Sequence, residues 1–282
     1  MNKFVIPYYM RTESIGILNK ISKFLKCLIF DRNFEKNLNE FSTLIFLISS
    51  LLLMTSNSSY ILIIDSSADI CSIALCNENN IIDSADLLEK NIHSEKLTIM
   101  IEELFAKNNF PYTALSAIGV HGGPGSYTGL RIGVSVAKGM CFALDIPLLS
   151  CDGLLAYAES INDTYPEKFD FILTALDARR DEVYGVIINK NREIVLNTQP
   201  ILLNPNFNAF ILANCPGKIG IFSNCVEKFI SLTKVNNVYF NGNELFKSVY
   251  LHKDLYSKFL KNNFENLHYF EPNYIKVGYH IS

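Results

Sequence analysis

The chain has 282 residues, of which 49% are hydrophobic and 19% are charged, and its formal net charge is -3. This composition supplies a core for one large or two modest domains and excludes an intrinsically disordered chain. Residues 1–53 carry seven Lys/Arg and four Asp/Glu, which leaves 18 Lys/Arg against 24 Asp/Glu, a net charge of -6, in the remainder. An acidic body is not the electrostatic footprint of a stand-alone nucleic-acid-binding protein.

The N-terminal extension, residues 1–53, differs in character from the rest of the chain. Residues 41–54 are apolar and uncharged, but this run of 14 residues is shorter than the roughly 20 residues that a membrane span needs. About 40 mixed residues precede the run, which is not the arrangement of a secretory signal. We interpret Met54 as the translation start, with a weak apolar anchor as the alternative.

The first half of the remaining chain alternates predicted strands and helices. Three strands joined by tight turns predict an antiparallel start to a sheet. Apolar residues at helical spacing indicate the helices, and a continuous apolar run indicates the strand that ends at His121. The predicted strands are 60–65, 70–76, 81–87, 115–121 and 147–150, and the predicted helices are 93–108, 129–144 and 153–160.

The second half opens after a polar candidate linker, residues 162–168. A strand over 169–177 that ends in Asp177, a charged turn and a strand over 183–189 repeat the pattern of the first hairpin, which indicates an internal duplication. Short strands over 219–222 and 237–239, a helix over 245–260 and a tail over 272–277 complete the prediction. The pattern predicts an α/β protein of two lobes, 54–161 and 162–282, with the actin-like (ASKHA, ribonuclease H-like) fold.

A glycine-rich loop between a strand and a helix is the first candidate binding site. Gly123, Gly125 and Ser126 allow close backbone approach, and the N-terminus of the following helix can bind an anion such as a nucleotide phosphate. Asp65 and Asp177 each end a strand, where a carboxylate can hold Mg²⁺ beside a phosphate. The alternatives are a tight turn that binds nothing and two turn-capping aspartates.

The helix behind this loop carries a stripe of small residues at every fourth position, with Gly139 as a further small residue. A glycine inside a helix costs roughly 1 kcal/mol relative to alanine, so the stripe needs a structural reason. Two interpretations stay open, namely packing against the chain's own sheet and a helix-to-helix interface with another protein. The stripe consists of Gly129, Gly133, Ala137 and Cys141.

The sequence indicates no metal site or catalytic set. His93 and His121 stand alone, without the spacing of metal ligands. The seven cysteines are an odd number without a C-x-x-C pair, which argues against a disulfide framework and a structural zinc site. Reduced thiols in a cytoplasmic protein are the simplest interpretation.

Several motifs together resemble the bacterial TsaB family. The most specific is the nine-residue segment from Gly123 to Arg131, and the others are supportive. Residues that match the family are frequent over residues 60–160 and sparse in the rest of the chain. The supporting motifs are Ile61–Asp65 with two serines, His93-Ser94-Glu95, Asp177-Ala178-Arg179 and the ending Glu271-Pro272-Asn273-Tyr274.

The resemblance implies a non-catalytic dimerisation subunit in the biosynthesis of tRNA threonylcarbamoyladenosine, the modified adenosine next to the anticodon. Its partners would be the paralogous catalytic subunit TsaD and the ATPase TsaE, with tRNA bound indirectly through the complex. ATP or ADP could lie at the interface, and the chain could form a homodimer when alone. The paralogue's two metal-binding histidines would fall here on Asp152 and Ala156.

Dimerisation through the helices of the first lobe would place the partner interface on two predicted helices. The residues expected there are His93, Leu97, Ile101, Gly129, Arg131, Gly133, Ala137 and Cys141. The competing hypothesis is an active enzyme of the same fold, either a small-molecule kinase that uses Asp65 and Asp177 or a metallopeptidase-like protein.

Overall fold

The structure is a computed structural model that describes residues 59–88, 93–242 and 246–275. The predicted start at Met54 and the apolar segment 41–54 lie outside these residues. The rest of the chain, from residue 59, forms one compact unit. Within the described residues no helix is long and apolar enough to cross a membrane.

The first sheet has five strands in the order β3-β2-β1-β4-β5. β1 pairs antiparallel with β2 and parallel with β4, and β2 pairs antiparallel with β3. β1 is buried throughout, whereas β3 alternates between half-buried and exposed residues, as an edge strand does. The strands are β1 (Tyr60–Asp65), β2 (Ile70–Cys76), β3 (Ile81–Leu88), β4 (Leu115–His121) and β5 (Leu148–Cys151).

The second sheet repeats this topology, with five strands in the order β10-β9-β6-β7-β8. β6 pairs antiparallel with β7 and parallel with β9, as β1 does with β2 and β4. The predicted α/β fold of two actin-like lobes is therefore confirmed. The strands are β6 (Phe171–Asp177), β7 (Glu182–Asn189), β8 (Ile194–Leu202), β9 (Ile219–Ser223) and β10 (Val238–Asn241).

Helices cover both sheets. The second helix carries the small-residue stripe, which is buried, as well as Gly139, and it packs on β4 and β1. The third helix contacts β6 and β7 of the second sheet, and the Leu154 carbonyl accepts a hydrogen bond from Thr174 Oγ1 at 2.7 Å. The helices are α1 (His93–Lys107), α2 (Tyr127–Leu144), α3 (Gly153–Thr164), α4 (Phe207–Asn214), α5 (Val226–Leu232) and α6 (His252–Leu260).

Three predictions for the second half differ from the structure. The helix predicted over 245–260 is a 3-10 turn, Ser248–Leu251, followed by α6. β8, α4 and α5 were not predicted, and residues 162–164 of the candidate linker close α3. α6 packs on β5, and Leu255 lies directly over Gly119, so residues assigned to the second lobe return to the first sheet.

Candidate functional site

Asp65 ends β1 as a fully buried carboxylate. Its Oδ1 accepts hydrogen bonds from the Ser67 backbone N–H at 2.9 Å and from the Ser67 hydroxyl at 2.7 Å. Its Oδ2 accepts a hydrogen bond from the Tyr157 hydroxyl. Burial, reinforced by the nearby Asp65, raises the pKa of Tyr157 well above its ordinary value, so this phenol stays protonated and able to donate. Asp65 is thus held by groups of its own chain.

The glycine loop packs against Asn273, a residue of the C-terminal region. Gly123 has a φ of +115°, and a Cβ on it would lie 2.3 Å from the Asn273 carbonyl oxygen. The Asn273 backbone N–H donates to the Gly122 carbonyl at 2.8 Å. Gly123 is a glycine because its backbone conformation excludes other residues and because Asn273 takes the space of a side chain.

The start of α2 is also occupied by the chain itself. The Ser126 N–H donates to the Ser67 carbonyl at 2.7 Å, and the Ser126 hydroxyl caps the helix by accepting from the Gly129 N–H at 3.2 Å. A Cβ on Gly125 would lie 2.6 Å from the same Ser67 carbonyl oxygen. Backbone atoms thus fill the inner face of the loop at Gly123 and Gly125, whereas Ser126 is exposed, and the anion-binding interpretation of these three residues stays a prediction.

The small-residue stripe of α2 faces inward. Gly129, Gly133, Ala137 and Cys141 are all buried. A Cβ on Gly129 would lie 2.0 Å from the Ser66 carbonyl oxygen, and one on Gly133 would lie 2.4 Å from Ser66 Oγ. The Ser66 hydroxyl donates to the Gly129 carbonyl at 2.8 Å. The prediction that these four residues form the partner interface is therefore wrong, since the turn between β1 and β2 occupies the space beside the glycines.

The opposite face of α2 carries exposed residues. Arg131, Ser135, Gly139 and Phe142 are exposed and occur at intervals of four, four and three residues, so they share one face of the helix. Phe142 is 75% exposed, and a Cβ on Gly139 would meet nothing within 4 Å. We call these four residues the outer stripe. Two small residues beside a large apolar one let the backbone of another helix approach closely.

On helix α1, too, residues that were predicted to contact a partner face inward. Leu97 and Ile101 are buried, so the prediction that they contact a partner is wrong for these two residues. Ile99, on the other side of α1, is 43% exposed. The side chain of His93 lies outside the described part of the chain, and its predicted role stays a prediction. The helices α1 and α2 contact each other, and Ile99 and Phe142 are large apolar side chains exposed on faces that are otherwise mostly polar.

Among the predicted interface residues whose side chains the structure describes, only Arg131 is exposed, and it contacts two tyrosines. Its Cζ lies 4.1 Å from the centre of the Tyr127 ring and 5.6 Å from that of Tyr274. Its Nε donates to the Tyr274 hydroxyl at 3.0 Å, and this hydrogen bond raises the pKa of Arg131. The guanidinium is thus fixed between two aromatic rings from distant parts of the sequence.

Asp177 ends β6 in a more open setting than Asp65. Its Oδ1 accepts hydrogen bonds from Lys228 Nζ at 2.8 Å and from the Arg179 backbone N–H at 2.8 Å. Its own N–H donates to Asn224 Oδ1 at 2.9 Å. These contacts are those of a turn-capping aspartate paired with a lysine, so the structure does not bring Asp177 and Asp65 into one described cluster.

The two positions that the resemblance aligned with metal-binding histidines carry no imidazole. Asp152 caps α3 by accepting a hydrogen bond from the Leu155 N–H at 3.2 Å, and Ala156 is buried. In the described residues no group of three or more His, Cys, Asp or Glu side chains is arranged to hold a metal ion. His121 is buried and accepts from the Gly123 N–H through Nδ1 at 3.0 Å, and its Nε2 packs against Gly153.

The described cysteines are buried thiols. Burial raises the pKa of Cys71, Cys76, Cys141 and Cys215 to about 12. Such thiols remain protonated at neutral pH and are poor nucleophiles and metal ligands. They serve as small apolar groups of the core.

Sequence reasoning missed Phe142 and Tyr274 as surface residues. Phe142 lies three residues after Gly139, and residues three apart share one side of a helix, so helical periodicity could have placed Phe142 beside that small residue. Tyr274 belongs to the C-terminal motif, but its contact with Arg131 spans 143 residues, and a pairing so distant in sequence leaves no local signal.

The chain is similar to proteins of known families. A model of the family described as "TsaD: tRNA N6-adenosine threonylcarbamoyltransferase" matches residues 88–278. A Bacillus subtilis protein named "tRNA threonylcarbamoyladenosine biosynthesis protein TsaB" is 35% identical over 147 residues, which are 51% of this chain and 62% of the relative. The protein of that name from Haemophilus influenzae is 30% identical over 124 residues, which are 44% of this chain and 51% of the relative. The chain thus spans about half the length of this second relative.

A solved structure shows the same fold. It is titled "Crystal structure of an uncharacterized protein with similarity to peptidase YEAZ from Pseudomonas aeruginosa", and its TM-score is 0.65 at 24% sequence identity. The match covers 77% of this chain and 100% of that chain. It extends the similarity across both lobes.

Proposed function

Because this chain belongs to the TsaB family, within the wider family of the TsaD model, we propose that it is a non-catalytic subunit of tRNA threonylcarbamoyladenosine biosynthesis. Its role is to dimerise with a TsaD-type catalytic paralogue and to act with a TsaE-type ATPase in the cytoplasm. The tRNA is held mainly by the partners, which agrees with the net charge of -6 outside residues 1–53.

The observation that carries this proposal is the exposed outer stripe of α2. Ser135 and Gly139 are small exposed residues, and Phe142 on the same side of the helix is 75% exposed. An exposed aromatic side chain next to small residues is the kind of anchor that protein interfaces bury. Ile99 of α1 adds apolar area to the same lobe. Two helices of a paralogous lobe fit against these two, and a second copy of this chain uses the same face in a homodimer when the paralogue is absent.

The non-catalytic role is supported by the residues at the expected catalytic positions. A helix-capping carboxylate at Asp152 and a methyl group at Ala156 do not provide the imidazole pair of the paralogue. Asp65 uses both carboxylate oxygens to accept hydrogen bonds from Ser67 and Tyr157. Any ATP or ADP at the interface would then rely on the partner for its metal and most of its phosphate contacts.

The test is the substitution Gly139→Arg in the full chain. A long charged side chain at this open position fits the monomer but blocks the close approach of a partner's helix. We expect it to weaken binding to the TsaD-type protein of the same organism by more than about 30-fold, which equals roughly 2 kcal/mol. Isothermal titration calorimetry measures the affinity, and nucleoside analysis of tRNA from cells that carry the variant measures the modification.

The matched control is Ile230→Arg, which places the same charge on an exposed position (54%) of helix α5 in the second lobe. This variant should bind like the wild type. Equal affinities for the wild type and Gly139→Arg would show that the outer stripe is not the interface.

A further inference from the structure

The C-terminal strap, residues 261–275, lies across the first lobe and is attached at both ends. Near its start, the Glu265 N–H donates to the Leu148 carbonyl at 2.9 Å, and the Ser150 hydroxyl donates to the Glu265 carboxylate at 2.5 Å. Near its end, the Asn273 N–H donates to Gly122. The strap thereby connects the edge strand β5 with the glycine loop.

Helix α2 holds the middle of the strap. Lys138 Nζ donates to the carbonyls of His268 and Phe270, at 3.3 Å and 3.1 Å. The strap is otherwise irregular, without helix or strand over these residues, and most of its side chains are exposed. The directed contacts named above join it to α2, to β5 and to the loop before α2.

These contacts of the strap set the position of the Tyr274 side chain. Tyr274 accepts the Nε hydrogen bond of Arg131 at 3.0 Å and packs its ring 4.7 Å from that of Tyr127. A free arginine side chain samples many rotamers, and binding a partner would have to restrict them. With the Nε donor taken by Tyr274 and the plane lying over Tyr127, this restriction exists before any partner arrives.

Arg131 is also the first residue of the outer stripe. A cation held at the end of an exposed helix face, with terminal guanidinium N–H groups beyond the one on Nε, suits an acceptor with two oxygens. A single carboxylate on a protein matches this position better than the phosphates of RNA, since the chain carries a net charge of -6 outside residues 1–53 and repels a polyanion more strongly than one carboxylate.

We propose that the C-terminal strap is a positioning element, in which Tyr274 holds Arg131 ready to bind a carboxylate of the partner protein at the end of the outer stripe. The inference rests on the proposed function, because it assigns a charged anchor to the same interface. Arg131 makes the contact, and Tyr274 acts through Arg131.

The test compares heterodimer affinities of four full-length variants. Arg131→Ala should weaken binding to the TsaD-type protein by about 10- to 100-fold, as loss of a charge-assisted pair does. Tyr274→Phe keeps the ring but removes the hydroxyl, and it should weaken binding by about 3- to 10-fold with an unchanged melting temperature. Tyr269→Phe removes a hydroxyl from a strap tyrosine that is 84% exposed, and it should have no effect.

The fourth variant combines Tyr274→Phe with Arg131→Ala, and it distinguishes positioning from a general structural role. If Tyr274 acts through Arg131, its substitution costs nothing further once Arg131 is absent. A loss for Tyr274→Phe that is equal in both backgrounds, or no loss in either, would overturn the proposal.

The remaining outcomes separate this inference from the proposed function. If Gly139→Arg abolishes the heterodimer while Arg131→Ala leaves its affinity unchanged, the strap proposal fails and the proposed function stands. If Arg131→Ala spares the heterodimer but weakens binding of tRNA to the complex, the acceptor is a phosphate and the carboxylate is refuted. If the wild type does not bind the paralogue, the proposed function itself fails.

Discussion

Alanine substitutions at two glycines of α2 should change stability in opposite directions. Both positions gain from the higher helix propensity of alanine, by about 1 kcal/mol at most. At Gly139 nothing lies within 4 Å of the added methyl group, so the gain is kept. At Gly129 the methyl group would lie 2.0 Å from the backbone oxygen of Ser66, which cannot rotate away.

The cost at Gly129 has two parts. Overpacking costs about 1–3 kcal/mol, and displacing the turn strains the buried Ser66 hydrogen bond to the Gly129 carbonyl, which contributes about 1 kcal/mol. After subtracting the propensity gain, we expect Gly129→Ala to lower the free energy of unfolding by about 1–3 kcal/mol and Gly139→Ala to raise it by about 0.5–1 kcal/mol. Urea denaturation measures both. A change of the same sign in the two variants would refute the inward orientation of the small stripe and, with it, the choice of the outer stripe as the interface.

Three further predictions concern the core and the charged surface. Tyr157→Phe leaves the buried Asp65 Oδ2 without the hydrogen bond from the Tyr157 hydroxyl and should destabilise the fold by about 1–3 kcal/mol in urea denaturation; wild-type stability would contradict this account of Asp65. Although burial acts in the opposite direction, hydrogen bonds from Arg192 and Lys253 lower the pKa of Asp163. A carboxyl group whose pKa is lowered on folding stabilises the protein above its unfolded pKa of about 3.9 and ceases to do so as the pH falls through the folded value. Asp163→Asn should therefore cost about 0.5 kcal/mol at pH 7 and progressively less below about pH 4, whereas a pH-independent difference would disprove the linkage. In the variant Cys27→Ser, a thiol reagent at pH 8 should modify the remaining six cysteines in urea but not in the native protein. Rapid labelling of the native protein would show that these six thiols are not buried.

The fold could be predicted from the sequence where local patterns were strong. The hairpins whose first strands end at Asp65 and Asp177 have long apolar strands and polar turns, and their repetition predicted the two lobes. The sequence of α4 contains Phe207, Phe210, Ile211 and Leu212 without a clear polar face, so periodicity did not reveal it. β8 carries Pro200 and half-exposed residues, which weakened its strand pattern.

The site was predicted only in part, because the glycine spacing of α2 identified a close contact but not its occupant. Periodicity places Gly133 and Gly139 on different faces, yet it cannot say which face the chain covers with Ser66. That choice depends on the turn after β1, which is more than 60 residues away in sequence from Gly129. The strap contact between Asn273 and Gly123 was beyond sequence reasoning for the same reason, since it joins distant segments through backbone atoms.

The most direct measurement is the affinity of the full chain for the TsaD-type protein of the same organism, determined by calorimetry for the wild type, Gly139→Arg and Ile230→Arg. The account predicts a heterodimer for the wild type and Ile230→Arg, and a loss of more than about 30-fold for Gly139→Arg. A wild type that does not bind the paralogue, or a Gly139→Arg variant that binds like Ile230→Arg, would contradict it.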